Sequence, residues 1–286
     1  MPWITRGLRD GIVTTRYPRR PDGYGDGFRA AVRVLRSGTT DPAAGTRGAA
    51  GALARLCPTG AIVEDTDGVH LDRGRCIVCG ACVAARPDRF TFVPEVETAA
   101  LSRHMLVAPE SDDEALARLR ADLADRTRAL RRSIHIRHVD AGSDGAEEWE
   151  VAALTNPVYD VARLGIFFTA SPRHADLLLV TGVATAGMAE PLRRTYEAMP
   201  DPKIVLAAGT DSVSGGLVHP TYATRGSVAG VLPVDVWVPG SPPSPFSLLH
   251  GILLAMGLLP ERSDRLDTRV VGQPAQDDPL TGRDRQ

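Results

Sequence analysis

The pattern of apolar and polar positions divides the chain near residue 133. Beyond it, short apolar runs recur: SIHIRHV (133–139), GIFFTA (165–170), DLLLVTG (176–182), KIVLAAG (203–209) and VDVWVPG (234–240). Several are almost continuously apolar, the pattern of strands covered on both faces of a parallel sheet. Helical segments are expected between them near 146–155, 187–199 and 243–259, so strands and helices alternate as in an α/β fold. Several strands end in glycine where a loop follows, at the sheet edge where such folds place their sites.

Upstream, residues 111–132 predict one long helix linking two domains. Ser111 and Glu114 form a capping box. Leu116, Leu119, Leu123 and Leu130 mark an apolar face. Acidic residues open the helix and Arg126, Arg128, Arg131 and Arg132 close it as a solvated, dipole-matched end. Residues 1–100 are rich in Gly and Pro and lack long periodic patterns, which suits a small loop-rich domain held by something other than a large core. Its first residues predict a short helix with Trp3, Ile4, Leu8 and Ile12 to one side, suited to a membrane interface, a partner or the domain's own core. Beyond Pro260 the sequence to Gln286 is polar and unpatterned, as in a disordered tail.

A length of 286 residues accommodates two domains, and 43% hydrophobic with 24% charged residues is ordinary for soluble protein. The net charge of −2 offers no bulk attraction for nucleic acid. Lys203 is the only lysine, and the arginines are scattered rather than striped. No apolar run reaches the roughly 18 residues that span a bilayer. The best one, LLHGILLAMGLL at 248–259, is too short and carries His250, and the N-terminus lacks the apolar core of a signal peptide.

All four cysteines lie between positions 57 and 82, three of them in CIVCGACVAARP (76–87). Such clustering without an export signal favours a metal or cluster over disulfides. In two-cluster ferredoxins the run C-x2-C-x2-C-x3-C-P occurs twice, and the fourth cysteine of each run ligates the other run's cluster. Cys57 opens CPTGAI, the usual end of a first run, but Arg47, Ala50 and Leu53 stand where its first three cysteines would be. In the second run Cys76, Cys79 and Cys82 are present and Arg86 replaces the fourth. Every ligand of one cluster is gone, and every ligand of the other remains: Cys57, Cys76, Cys79 and Cys82. One 4Fe–4S cluster is expected. A four-cysteine zinc site, usually two separated C-x2-C pairs, and free thiols are the alternatives.

Four phrases of the second half belong together: NPVYDVARLGI (156–166), SPRHADLLLVTG (171–182), MPDPKIVLAAG (199–209) and LPVDVWVPGSPPSP (232–245). They resemble, over about 138–259, the small subunit of membrane-bound, hydrogenase-4 or formate-hydrogenlyase type NiFe hydrogenases, which is shared with complex I as its 20 kDa subunit. TTRYP (14–18) with the cysteine pattern resembles the ferredoxin subunit of the same complexes, so the chain looks like a fusion of two neighbouring subunits. The resemblance implies an α+β ferredoxin-like domain over 1–100, a linker with a helix over 101–133, an α/β flavodoxin-like domain with a mainly parallel sheet over 134–260, and a tail over 261–286. It further implies a peripheral subunit on the cytoplasmic side of the membrane, with a large-subunit homologue and multi-spanning membrane subunits as partners, and no nucleic acid or small-molecule substrate of its own.

The small-subunit family holds a 4Fe–4S cluster of its own through a cysteine pair, a G-x-C loop and a P-G-C-P-P loop. By the resemblance those positions are Asp144, Glu147, Asp211 and Ser241 here, so all four thiolates are missing. These side chains are expected to converge, to hold no iron, and to be met by arginine, water or a partner's donor. An oxygen-ligated cation such as Mg²⁺ is a weaker reading. His174 is read as fixing a loop rather than moving protons. His135 and His138, three apart on a strand, face opposite sides and form no ligand pair. The glycines of GTDSVSGG (209–216) match no phosphate-binding spacing and are read as tight turns. Function is expected to be electron transfer within the complex. The alternative is a structural or assembly role between the large-subunit homologue and the membrane subunits, and nothing supports a stand-alone enzyme.

Overall fold

A computed structural model describes residues 2–20, 22–29, 31–35, 53–65, 68–107, 113–218 and 220–259. In the N-terminal part, helix α1 (Pro2–Asp10) precedes two antiparallel strand pairs. Strand β1 (Ala31–Val34) pairs with β4 (Phe90–Val93), and β2 (Ile62–Asp65) forms a hairpin with β3 (Gly68–Leu71). A short helix, α2 (Ala81–Ala85), follows the cysteine turn. Val32, Ala61, Ile62, Leu71, Cys82 and Phe90 make a small core, with Cys57 and Cys76 packed against it. So few apolar side chains leave much of the fold to other constraints.

The predicted linking helix runs as α3 (Asp113–Arg126) with a 3-10 turn at Arg128–Leu130. Leu123 and Leu130 are buried but Leu119 is 45% exposed, so the apolar face is narrower than its leucines predict. The Ser111 cap and the tail beyond Pro260 lie outside the described residues. Arg126 departs from the expected solvated end: it pairs with Asp235, which also accepts the Val205 N–H. The helix end is thereby tied to the following domain.

That domain is one parallel sheet: β5 (Ile134–Asp140), β6 (Ile166–Phe168), β7 (Leu177–Thr181), β8 (Ile204–Ala208) and β9 (Val236–Val238), in spatial order β6-β5-β7-β8-β9. Numbered within the sheet this is the 2-1-3-4-5 order of flavodoxin-like folds. All five residues of β7 and of β8 are buried, which accounts for their uninterrupted apolar sequence. Edge strand β6 is shorter than predicted, with Phe167 and Phe168 partly exposed. Helices α4 (Ala146–Ala153), α5 (Ala186–Glu197), α6 (Thr210–Ser214) and α7 (Pro245–Ala255) complete the fold. Every residue of α7 is buried, so it is an internal helix of this domain.

Residues 99–106 pack into this second core, because Ala100 bridges Trp237 beside β9 through two backbone hydrogen bonds of 2.9 and 2.8 Å. Arg103 carries the contact back to the cysteine segment: it meets Asp72 at 2.6 Å, while the Leu106 carbonyl accepts the Arg73 N–H. The TTRYP segment docks likewise, with the Thr15 N–H donating to the Val158 carbonyl and the Tyr17 ring 5.5 Å edge-on from Phe246. No helix among the described residues is long and apolar enough to cross a membrane.

Candidate metal centre

The cysteines come from two segments. Cys57 follows a 3-10 turn, Ala54–Leu56, and Cys76 to Cys82 fold into a tight turn ending in α2. Gly80, at φ 79°, opens α2 where an added Cβ would lie 2.7 Å from the Phe92 ring. Val78 adopts φ 53°, a rare conformation for a β-branched residue and one that clusters at functional sites.

The thiols lie within electrostatic reach of one another. Burial pushes the Cys76 thiol up to about 12, and Cys57, Cys82 and Cys79 each push it the same way. Burial also raises Cys82, assisted by Cys79 and Cys57. Thiols held protonated in this way are poor free nucleophiles, and a metal must displace the proton to bind them. Backbone N–H groups already point at sulfur: Ala61 at Cys57 (3.2 Å), Val78 at Cys76 (3.4 Å) and Val83 at Cys82. The Thr59 hydroxyl stands 3.3 Å from the Cys57 sulfur. Such donors stabilise negative charge on sulfur and help set the potential of an iron–sulfur cluster. Among the described residues no three His, Cys, Asp or Glu side chains close on a single metal ion, as zinc requires. Ligands of a cubane each meet a different iron and stand farther apart, so four soft donors within electrostatic reach of one another fit the 4Fe–4S group.

The second group of positions lies at the C-terminal edge of the sheet. Asp140 ends β5 and accepts the N–H groups of Gly142 and Ser143, shaping the loop that carries Asp144 into α4. Glu147, on the first turn of α4, is 1% exposed, and its Oε2 has no hydrogen-bond partner. Its carboxyl is pushed up to about 7, first by burial and then by Asp211, Asp144 and Glu148. Asp211, on α6, is raised by burial, Asp144 and Glu148. Asp144, Glu147 and Asp211 therefore lie within electrostatic reach of one another, and among the described residues no arginine meets the Glu147 Oε2; the other expected donors, water or a partner, lie outside this chain. Ser241 is exposed on the loop after β9, where it lines a cavity of about 220 Å³ with Ile77, Val78, Arg29 and Glu150. Three carboxylates and a hydroxyl do not fit an iron–sulfur cubane.

Sequence reasoning missed a network beside them. Glu148 accepts from the Ser143 hydroxyl (2.6 Å) and from Thr181, whose oxygen lies 3.0 Å from His138 Nε2. Burial lowers the His138 pKa, with Glu148 and Asp140 opposing. His135 instead meets Asp176 and stacks on Phe167, so the two histidines stay apart. His174 is exposed on the turn before β7.

The raised carboxyl of Glu147 has a consequence for stability. The stability it lends is fully present below its ordinary value of 4.5 and is lost as pH rises to about 7. Glu147→Gln should therefore gain stability relative to the parent across that window, on the order of 1 kcal/mol per pH unit. Denaturant midpoints compared on both sides of it check this, and a constant difference between the two proteins would refute it.

Fold and site together define a chain of the respiratory-complex and hydrogenase small-subunit class. The model of the family described as "NADH ubiquinone oxidoreductase, 20 Kd subunit" matches residues 145–255, and that described as "4Fe-4S single cluster domain" matches residues 69–125. The chain is 40% identical over 139 residues to the probable membrane-bound hydrogenase subunit mbhJ of Pyrococcus furiosus, covering 49% of this chain and 83% of that one. It is 39% identical over 154 residues to formate hydrogenlyase subunit 7 of Escherichia coli, covering 54% of this chain and 59% of the relative's length. A subunit of the archaeal membrane-bound sulfane sulfur reductase complex aligns with a TM-score of 0.41 at 34% identity, over 46% of this chain and 74% of that one. The chain belongs to the 20 kDa subunit family of NADH ubiquinone oxidoreductase, and carries a 4Fe–4S domain beside that fold.

Proposed function

We propose that this chain is an electron-transfer subunit of a membrane-associated assembly of the complex I or membrane-bound hydrogenase type. The observation that carries the reading is the set of four thiols from two segments, within electrostatic reach of one another beside a family-type α/β domain. Cys57, Cys76, Cys79 and Cys82 hold one 4Fe–4S cluster, which supplies one-electron transfer when bound. The chain's own contribution is to fix the four sulfurs, aim N–H groups at them and bury Cys76 against the α/β domain.

The ferredoxin-like unit occupies residues 1–100, the linker with α3 residues 101–133, and the small-subunit unit residues 134–260. Asp144, Glu147, Asp211 and Ser241 stand where the family's own cluster would be held, so electrons do not continue through a second cubane in this chain. The chain sits peripherally on the cytoplasmic face, against a large-subunit homologue and multi-spanning subunits. Relatives named as subunits of membrane-bound hydrogenase and formate hydrogenlyase support this placement.

Affinity capture of the tagged chain from gently solubilised native membranes tests it. A large-subunit homologue and multi-spanning proteins should co-purify in stoichiometric amounts. Recovery of the chain alone, as a monodisperse monomer, would overturn the assignment to such an assembly.

A further inference from the structure

The Glu147 Oε2 is a buried carboxylate oxygen without a hydrogen-bond partner. The charged groups that act on it most strongly are Asp211 from α6, Asp144 from the loop before α4, and Glu148 from α4 itself. All three are carboxylates. His138 meets Glu148, at 3.7 Å and through Thr181, and does not meet Glu147. Among the described residues these side chains do not close on a metal ion. The ligand such a site takes without rearrangement is a proton, because a proton shared among carboxylates relieves both their repulsion and the burial of charge.

The same site touches the cysteine turn through two consecutive residues. Gly209, at φ 96°, leaves room for the Glu147 side chain, and a Cβ there would lie 2.6 Å from Oε1. The next residue, Thr210, is fully buried. Its hydroxyl donates to the Cys76 carbonyl at 3.1 Å and accepts the Gly240 N–H at 3.2 Å. Glu147, Gly209, Thr210 and Cys76 thus form a continuous packed path, and charge placed at one end of it alters ionisation at the other through the buried interior.

Resting on the proposed cluster ligation, we propose that the carboxylate site of Glu147, Asp144 and Asp211 binds one proton in step with the arrival of one electron at Cys57, Cys76, Cys79 and Cys82. The electron comes from a low-potential one-electron donor and the proton from water, so the net charge of the subunit is unchanged. Glu147 is the proton carrier, and Asp144 and Asp211 act through it by raising its affinity. The positions that have exchanged thiolate for carboxylate would then serve the redox reaction of the remaining site instead of relaying electrons themselves.

The test uses the full chain reconstituted anaerobically with iron and sulfide, with iron counted before each titration. The midpoint potential is followed by electron paramagnetic resonance, with dithionite as reductant, between about pH 6 and pH 9. In the parent protein the potential should be flat below the Glu147 pKa of about 7 and fall above it. The slope should approach about 59 mV for each tenfold drop in proton activity. Glu147→Gln should abolish the slope while keeping the iron. Asp211→Asn should keep the slope but move its onset to lower pH, a displacement that a merely structural role would not produce. Iron bound with a flat potential in the parent, or a slope surviving in Glu147→Gln, overturns proton coupling and leaves the cluster assignment standing. Failure to bind iron overturns the assignment itself and this proposal with it.

Discussion

Replacing Cys57 with alanine should strip the bound iron as completely as replacing Cys79, although Cys57 lies outside the C-x2-C-x2-C run. Reconstituted parent protein should hold about four iron and four sulfide per chain, and either variant should fall to background. Both cysteines would be direct ligands of one cube, and loss of any one thiolate leaves an iron vertex open. Cys57 is placed for this by its own segment: the Ala61 N–H and Thr59 hydroxyl contact its sulfur, which lies within electrostatic reach of Cys76 and Cys82. Thr59→Ala provides the contrast. It removes a hydroxyl near sulfur and not a ligand, so iron should stay while the potential shifts. Full iron in Cys57→Ala would show that the fourth ligand comes from elsewhere. Stoichiometric zinc without iron after anaerobic purification would restore the zinc reading.

What the sequence revealed in advance follows a physical line. Strands β7 and β8 were legible because burial on both faces leaves no polar alternation to confuse with another element. The helix α6 was not: its five residues, TDSVS, include one aliphatic side chain, so no 3.6-residue period exists to read. Residues 99–106 were equally opaque, since their place beside β9 depends on a bridge between Ala100 and Trp237 that no local pattern encodes. At the metal centre, motif spacing alone grouped Cys57 with Cys76, Cys79 and Cys82, because ligand spacing is itself a sequence property. The carboxylate positions were named through family likeness, but their settings were not visible. The buried Glu147, the exposed Ser241 and the Thr210–Cys76 bond arise where the C-terminal ends of separate strands meet.

Gly182→Ala should destabilise the α/β domain by about 3 kcal/mol, the sum of a left-handed backbone cost and an overpacking cost. Gly182 follows β7 at φ 80°, and a Cβ there would lie 2.5 Å from the Gly142 carbonyl carbon and 2.5 Å from the Ser143 nitrogen. Both are backbone atoms, so no flexible side chain can turn aside. The crowded loop is also fixed in place: Ala141 N–H donates to the Thr181 carbonyl, Val183 N–H to the Gly142 carbonyl, and Thr185 N–H to the Ala141 carbonyl. Displacing it moves the segment that leads to Asp144 and Glu147, so the pH dependence of stability assigned to Glu147 should weaken in the same variant. Gly187, inside α5, is the opposite case, since an added Cβ meets nothing within 4 Å. Gly187→Ala should stabilise by roughly 0.5 kcal/mol through helix propensity alone, less than in mid-helix because the position lies on the first turn. Urea midpoints of the two variants should therefore move in opposite directions from the parent. Equal shifts would mean that the approach of the chain at Gly182 to the loop at 142–143 does not constrain the fold.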